Sequence, residues 1–120
     1  MITIVDESVI LRYLLRDDRK KAKRAAEIIE SGQAYSYPEI IARVAVTLRD
    51  AHGVPRSLVS EAILTLLDDI CVSEEDVVRY ATRLFGTSIL DYIDCLLVAR
   101  NHLYNHEIIS FEKALMKNAM

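Results

Sequence analysis

Residues 1–16 read MITIVDESVILRYLLR, and this stretch sets the pattern for the rest of the chain. The apolar and β-branched run Ile2–Val5 is suited to a central parallel strand. Asp6 follows the run directly. Ser8 can then cap a helix that continues to about Arg16, because a side-chain oxygen can accept hydrogen bonds from the free N–H groups of a first helical turn. The stretch therefore predicts a strand followed at once by a helix.

Strands and helices continue to alternate along the chain, and few residues interrupt them. The 120 residues include only three glycines and two prolines, so we expect long elements and short connections. Further strands are predicted at 34–37, 70–72 and 107–111. Helices are predicted at about 19–31, 38–52, 56–67, 74–85 and 91–103, followed by a short terminal helix. This order predicts a single domain of the α/β class over residues 1–120, with a parallel sheet covered by helices on both faces.

The composition narrows the class of protein. Hydrophobic residues make up 52% of the chain and the mean hydropathy is +0.15, which is typical of a globular domain with a buried core. No apolar run approaches the roughly 18 residues needed to cross a bilayer, and the N-terminus lacks the layout of a signal peptide. We therefore expect a cytoplasmic protein with no membrane partner. Cys71 and Cys95 have no metal-binding spacing and are expected to be free thiols.

Acidic residues lie where the predicted strands end. Asp6 closes the first strand and Glu112 follows the last one, while Asp91 and Asp94 open the helix between them. Parallel strands bring their carboxyl ends to one edge of a sheet, and carboxylate oxygens are the ligands that divalent cations prefer. The pattern therefore predicts metal-assisted chemistry on phosphates at that edge.

One short segment concentrates positive charge. It contains Arg16, Arg19, Lys20, Lys21, Lys23 and Arg24, with Arg12 one helical turn earlier. The net charge of −3 argues against a surface that coats nucleic acid generally, but it leaves room for this local patch. The segment is either a solvated helix face or a contact for the phosphate backbone of RNA. No aromatic residues alternate with the basic ones, so base stacking is not predicted there.

Four segments, in order, resemble PIN domains of the VapC-like toxin class. They read VDESVILRYLLRDD, YPEIIARVAVTLRDAHGV, LDYIDCLLVARN and IISFEKAL, and they are spread along essentially the whole chain, from residue 5 to residue 115. The resemblance implies a PIN-like three-layer α/β/α sandwich with a short central parallel sheet of about four strands. It also implies an endoribonuclease that depends on Mg²⁺ or Mn²⁺ and is often the toxin of a toxin–antitoxin pair.

The resemblance also implies roles for particular acids. Asp6 matches the first acid of the family, and Asp94 matches the acid ahead of the late apolar helix. Asp91, one turn before Asp94, is expected to be a further metal ligand or to orient one. Glu112 stands where the family usually has aspartate, and Ser8 can hydrogen-bond a carboxylate or a metal-bound water. Such a metal would activate water for hydrolysis of an RNA phosphodiester.

The chain departs from the family at Arg43. The family pattern Pro-x-x-x-Ala-Glu places a catalytic glutamate at this position, and an arginine there changes the local charge by two units. Arg43 could pair with Asp6 or Asp94 and occupy the place of the metal. Glu39, one turn earlier on the same helix, is the candidate to supply the missing catalytic carboxylate.

Two functions therefore remain open at this stage. The first is a metal-dependent ribonuclease with catalytic acids Asp6, Asp94, Glu112 and Glu39, and with Ser8, Arg12 and Arg43 contacting RNA. The second is a catalytically inactive PIN-fold protein that binds RNA or an antitoxin partner. A homodimer is also predicted, through apolar residues of the early helices: Leu14, Leu15, Ala22, Ala25 and Ile29.

Overall fold

The computed structural model describes all 120 residues, and 64% of them lie in helices. Three short parallel strands, β1 (Thr3–Ile4), β2 (Ala34–Ser36) and β3 (Cys71–Val72), form one sheet in the order β1-β2-β3. The seven helices are α1 (Glu7–Leu15), α2 (Arg19–Glu30), α3 (Pro38–Asp50), α4 (Arg56–Leu66), α5 (Glu75–Thr87), α6 (Tyr92–Tyr104) and α7 (Lys113–Asn118). None of these helices is long and apolar enough to cross a membrane.

The predicted PIN-like three-layer sandwich with about four strands is therefore wrong. The sheet has three strands of two or three residues each, and helix-on-helix packing supplies most of the core. The most extensive contacts between elements are those of α5 with α6 and with α4. Because strands this short offer little surface to cover, the helices bury most of their apolar faces against one another.

The missing strand is the one predicted at residues 107–111. This segment makes no backbone hydrogen bond to any other strand. Ile109 is 79% exposed and the Phe111 side chain is fully exposed. A β-branched and aromatic run has high strand propensity, but a strand forms only where a neighbour supplies the ladder of hydrogen bonds. Here no neighbour does so, and the run stays irregular.

Strand β1 is an edge strand and not the predicted central one. The N–H groups of Thr3 and Val5 donate to the carbonyls of Gln33 (2.8 Å) and Tyr35 (2.9 Å), while no strand lies on the other side. Beyond the strand, the buried Ser36 hydroxyl donates to the Val5 carbonyl at 3.0 Å. This bond fixes the carboxyl ends of β1 and β2 side by side.

A buried pair of aromatic side chains packs in the core between α5 and α6. Phe85 and Tyr92 have ring centroids 5.6 Å apart, and neither side chain reaches solvent. The Tyr92 hydroxyl shares a 2.7 Å hydrogen bond with Thr82, so its polar end is satisfied inside the core. Burial raises the pKa of Tyr92 well above its ordinary value.

A single arginine orders the connection from α5 to α6. Arg56, the first residue of α4, lies with its guanidinium carbon 4.4 Å from the centre of the Phe85 ring. The same guanidinium donates to four backbone carbonyls, those of Phe85, Ser88, Ile89 and Leu90, at 2.7–3.2 Å. These carbonyls belong to the end of α5 and to the segment that leads into α6, so Arg56 helps to position the acids at the start of α6.

Candidate functional site

Each strand of the sheet leads to an acid at the same edge. Asp6 follows β1, Glu39 lies in the first turn of the helix after β2, and Glu74 lies two residues beyond β3. The sequence predicted that parallel strands would deliver Asp6, Asp91, Asp94 and Glu112 to one edge, and of these four acids only Asp6 follows a strand of the sheet. The contacts of each acid decide what that edge can do chemically.

Asp6 caps helix α1. Its Oδ1 accepts hydrogen bonds from the backbone N–H groups of Ser8 (3.0 Å) and Val9 (3.3 Å), and from the Ser8 hydroxyl at 2.6 Å. The Ser8 hydroxyl bond is the largest cause of the lowered pKa of Asp6. The prediction that Ser8 caps this helix is thus wrong by two residues, and Ser8 instead supports the cap.

Glu74 is the acid that sequence reasoning did not single out. Its two carboxylate oxygens accept from Arg100 of α6 at 2.8 and 3.0 Å, and Tyr104 donates to it at 2.9 Å. The hydrogen bonds from Arg100 lower the pKa of Glu74. Glu74 also has a left-handed backbone, with φ of 53°, a conformation that costs free energy for a residue other than glycine. Its ion pair with Arg100 helps to hold that conformation.

Three further acids, Asp91, Asp94 and Glu112, surround the start of α6. Asp94 is half-buried, and desolvation, followed by the charges of Asp91 and Glu112, raises its pKa. Asp91 is exposed and pairs with Arg49 at 3.5 Å. Glu112 is exposed and precedes α7 without a capping hydrogen bond. These acids are close enough to repel one another electrostatically.

Arg43 pairs with neither Asp6 nor Asp94. Its Nη1 donates to Glu7 at 3.0 Å, and its side chain is 70% exposed. The pair borders a groove of about 420 Å³ that Glu39 and Ile93 also line. Glu39 therefore lies beside Arg43 at the rim of this groove, and it makes no ion pair within 4.0 Å.

The expected Mg²⁺ or Mn²⁺ cofactor is contradicted by this arrangement. No three or more side chains of Asp, Glu, His or Cys come together in a way that could hold a metal ion. Of the predicted ligands, Asp6 accepts from helix N–H groups and Asp91 pairs with Arg49, while the strand expected to bring Glu112 to the edge of the sheet does not form. Catalytic roles for Asp6, Asp94, Glu112 and Glu39 stay predictions that no contact in the structure tests.

The basic segment runs from the half-buried Arg12 at the end of α1, through Arg16 in the following turn, to the exposed side of α2. Five of its cations make no ion pair within 4.0 Å: Arg16, Arg19, Lys20, Lys21 and Lys23. Both acids of this segment have other roles, because Asp17 binds Arg12 at 2.9 and 3.0 Å and Asp18 caps α2. The face therefore carries uncompensated positive charge. We call it the basic face and define it by Arg12 and the six basic residues of 16–24.

The residues predicted to form a dimer interface lie mostly inside the monomer. Ala22, Ala25 and Ile29 are buried in the structure. Only Leu14 and Leu15 keep partial exposure, and both pack against the core. Self-association stays a prediction, but these three buried side chains are not available for it.

No protein-family model, curated protein or solved structure matches this chain. The resemblance to PIN domains thus rests on the four sequence segments alone and stays a prediction.

Replacing Glu74 by glutamine is expected to lower the free energy of unfolding by about 1 kcal/mol or less at pH 7, because the ion pair with Arg100 is partly exposed. The pKa of Glu74 is depressed, so its stabilising effect is present above its ordinary pKa of 4.5 and is lost as the pH falls below that value. Urea denaturation at a series of pH values would measure this. A difference between the two proteins that does not shrink in acid would contradict it.

Asp94→Asn is expected to raise the free energy of unfolding at pH 7, which is the opposite of the effect of Glu74→Gln. The raised pKa of Asp94 means that the folded state favours the protonated carboxyl. The contribution of Asp94 to the free energy of unfolding is therefore most favourable below the ordinary pKa of 3.8, and this contribution is lost as the pH rises. We therefore expect the variant to be more stable than the unaltered protein at pH 7, by less than about 1 kcal/mol, and to lose that advantage in acid. Thermal denaturation at pH 7 and pH 3 would test it, with Glu61→Gln, a change at an exposed residue of α4, as the charge-matched control.

Proposed function

We propose that this protein binds RNA through the basic face and leaves the RNA intact, as a divergent relative of the VapC-like class that has lost its catalysis. The observation that carries the proposal is the set of four exposed cations of α2 that make no ion pair: Arg19, Lys20, Lys21 and Lys23. Basic side chains that neutralise phosphates release counterions from the nucleic acid, and this release drives binding. Cations already paired with acids would contribute much less.

The position of the charges supports binding over a simple solvated face. Arg19, Lys20 and Lys21 form the first turn of α2, where the helix dipole disfavours positive charge. The acids of this helix, Glu27 and Glu30, lie near its other end, where the dipole disfavours negative charge. Apart from the Asp18 cap, the side-chain charges of α2 therefore oppose its dipole at both ends and lower its stability, and phosphate binding provides a reason for that distribution.

The state of the acids supports a role without catalysis. Arg43 stands where the family has a catalytic glutamate, and its guanidinium pairs with Glu7. At the carboxyl edge of the sheet, Arg100 holds both carboxylate oxygens of Glu74. Arg43 therefore brings positive charge to the position where the resemblance implies a carboxylate for metal-dependent hydrolysis, and Arg100 offsets the charge of a further acid at the edge of the sheet.

Fluorescence anisotropy with a labelled single-stranded RNA would test the proposal. The combined variant Lys20→Glu, Lys21→Glu, Lys23→Glu is expected to weaken binding by at least about tenfold and to flatten the dependence of affinity on salt. The matched control changes three exposed, unpaired cations elsewhere, as Arg83→Glu, Lys113→Glu, Lys117→Glu. Equal losses in both variants, or no binding at low salt, would refute binding through this face. RNA cleavage by the unaltered protein would refute the inactive role.

A second candidate function is the binding of an antitoxin-type protein partner. Ile93 and Leu97 lie one turn apart on α6 and are 53% and 42% exposed, which leaves an apolar stripe on this helix. Two acids near the stripe, Glu39 and Asp94, make no ion pair. This chemistry fits a segment that carries leucine and lysine.

A synthetic peptide rich in leucine and lysine should bind the unaltered protein in calorimetry. The variant Leu97→Asp should lose this binding. The control variant Leu103→Asp, at a similarly exposed residue (43%) of the same helix, should keep it.

A further inference from the structure

A groove of about 440 Å³ lies between α1 and α2 within the basic face. Its volume falls in the range of sites that hold small ligands, which extends from about 300 to 1,000 Å³. The apolar part of its lining consists of Val9 and Ile28, both half-buried, and of the buried Ala25. The groove therefore offers an apolar surface to a flat or ring-shaped group.

Three cations line the same groove. Lys21 makes no ion pair, and Arg24 has only a 3.8 Å contact with the exposed Glu27. Arg12 is held in place by its Nη1, which donates to both carboxylate oxygens of Asp17, and this ion pair offsets its charge. Lys21 and Arg24 are thus the groups with charge available for an anion, and Arg12 supplies a fixed guanidinium edge beside them.

A hydroxyl completes the lining. Ser8 also lines the groove, and because it donates its only O–H proton to Asp6 at 2.6 Å, its hydroxyl oxygen can serve a ligand only as an acceptor. A ligand that satisfies this oxygen must bring a donor such as a sugar hydroxyl. The groove thus combines sites for an anion, an apolar ring and a hydroxyl donor.

We infer that this groove holds one nucleotide of a bound RNA. The phosphate lies against Lys21 and Arg24, the base rests on Val9 and Ile28, and a ribose hydroxyl donates to Ser8. The inference rests on the proposed RNA binding and adds a defined subsite to it, because a merely charged surface would contact phosphates alone. The 2′-hydroxyl is the group by which proteins distinguish RNA from DNA.

Two single variants separate the groove from the face around it. Lys20 and Lys21 are adjacent, exposed and without an ion pair, but only Lys21 lines the groove. Lys21→Glu is expected to weaken the binding of a labelled oligouridylate by about tenfold or more, and Lys20→Glu by only about two- to threefold. Circular dichroism of both variants would verify that the helices are retained. The same oligonucleotide made as DNA is expected to bind the unaltered protein several-fold more weakly.

The outcomes distinguish this inference from the proposed function. A larger loss with Lys21→Glu than with Lys20→Glu, together with a preference for RNA, supports the nucleotide subsite. Equal losses in the two variants would overturn the subsite and leave RNA binding by the basic face intact. Equal affinity for RNA and DNA would overturn the assignment of a ribose to Ser8. No binding by the unaltered protein would overturn the subsite and the proposed function together.

Discussion

Replacing Arg56 by alanine is expected to lower the free energy of unfolding by about 3 kcal/mol. The change removes a charged donor from four backbone carbonyls between Phe85 and Leu90 and a cation from the face of the Phe85 ring. Water can hydrate the exposed carbonyls again, but those that stay partly buried lose their partner. Urea denaturation followed by circular dichroism would measure the loss.

The chain offers two controls for this prediction. Arg56→Lys keeps the charge but cannot direct five N–H groups in one plane, so we expect it to recover only part of the stability. Arg83→Ala removes an exposed arginine that makes no ion pair and is expected to change stability by less than about 0.5 kcal/mol. If Arg56→Ala proved as stable as Arg83→Ala, the segment after α5 would not depend on this guanidinium.

The second large effect is expected for Gly86→Ala, which should lower the free energy of unfolding, whereas replacing a helical glycine by alanine usually raises it. A glycine inside a helix ordinarily costs about 0.5–1 kcal/mol relative to alanine. At position 86 of α5, however, a Cβ atom would lie 2.7 Å from the Cβ of Ser60 and 2.9 Å from its hydroxyl oxygen. Ser60 belongs to α4 and is only 8% exposed, so it has little room to move. We expect a loss of about 1–3 kcal/mol, measured in urea.

A double-mutant cycle isolates the cause. Ser60→Gly removes the two atoms that the new methyl group would meet, so Gly86→Ala should cost little in that background. The expected coupling energy between the two positions is about 1–3 kcal/mol. A cycle in which the two changes simply add would show that α4 and α5 are free to move apart at this point.

Much of the fold could be predicted because its signals are local. Pro38 begins α3 as predicted, and left-handed glycines follow α2 and α3 at Gly32 and Gly53. The predicted helices agree with the observed ones to within about two residues at most ends, since apolar periodicity and end signals lie within the helices themselves. The position of Asp6 at the end of a strand could also be predicted, because the apolar run Ile2–Val5 directly precedes it.

What could not be predicted depends on contacts between distant residues. The run 107–111 has the composition of a strand, but only the sheet decides whether a neighbour is available. Glu74 and Arg100 are 26 positions apart, and no spacing rule connects them. The acid that pairs with Arg43 likewise depends on the direction of the Arg43 side chain, and in the structure this acid is Glu7. The metal site was predicted wrongly because it depended on several such long-range contacts, which the sequence does not reveal.

The open edge of β1 bears on the behaviour of concentrated solutions of the protein. Ile2 and Ile4 are each 64% exposed beside backbone groups that no strand pairs. Such an edge can add a strand from another molecule, which is how ordered aggregates begin. The strand, however, has only two residues, and the charged Asp6 follows closely. Its brevity and this charge restrict intermolecular pairing, so colloidal stability depends on features that contribute little to conformational stability.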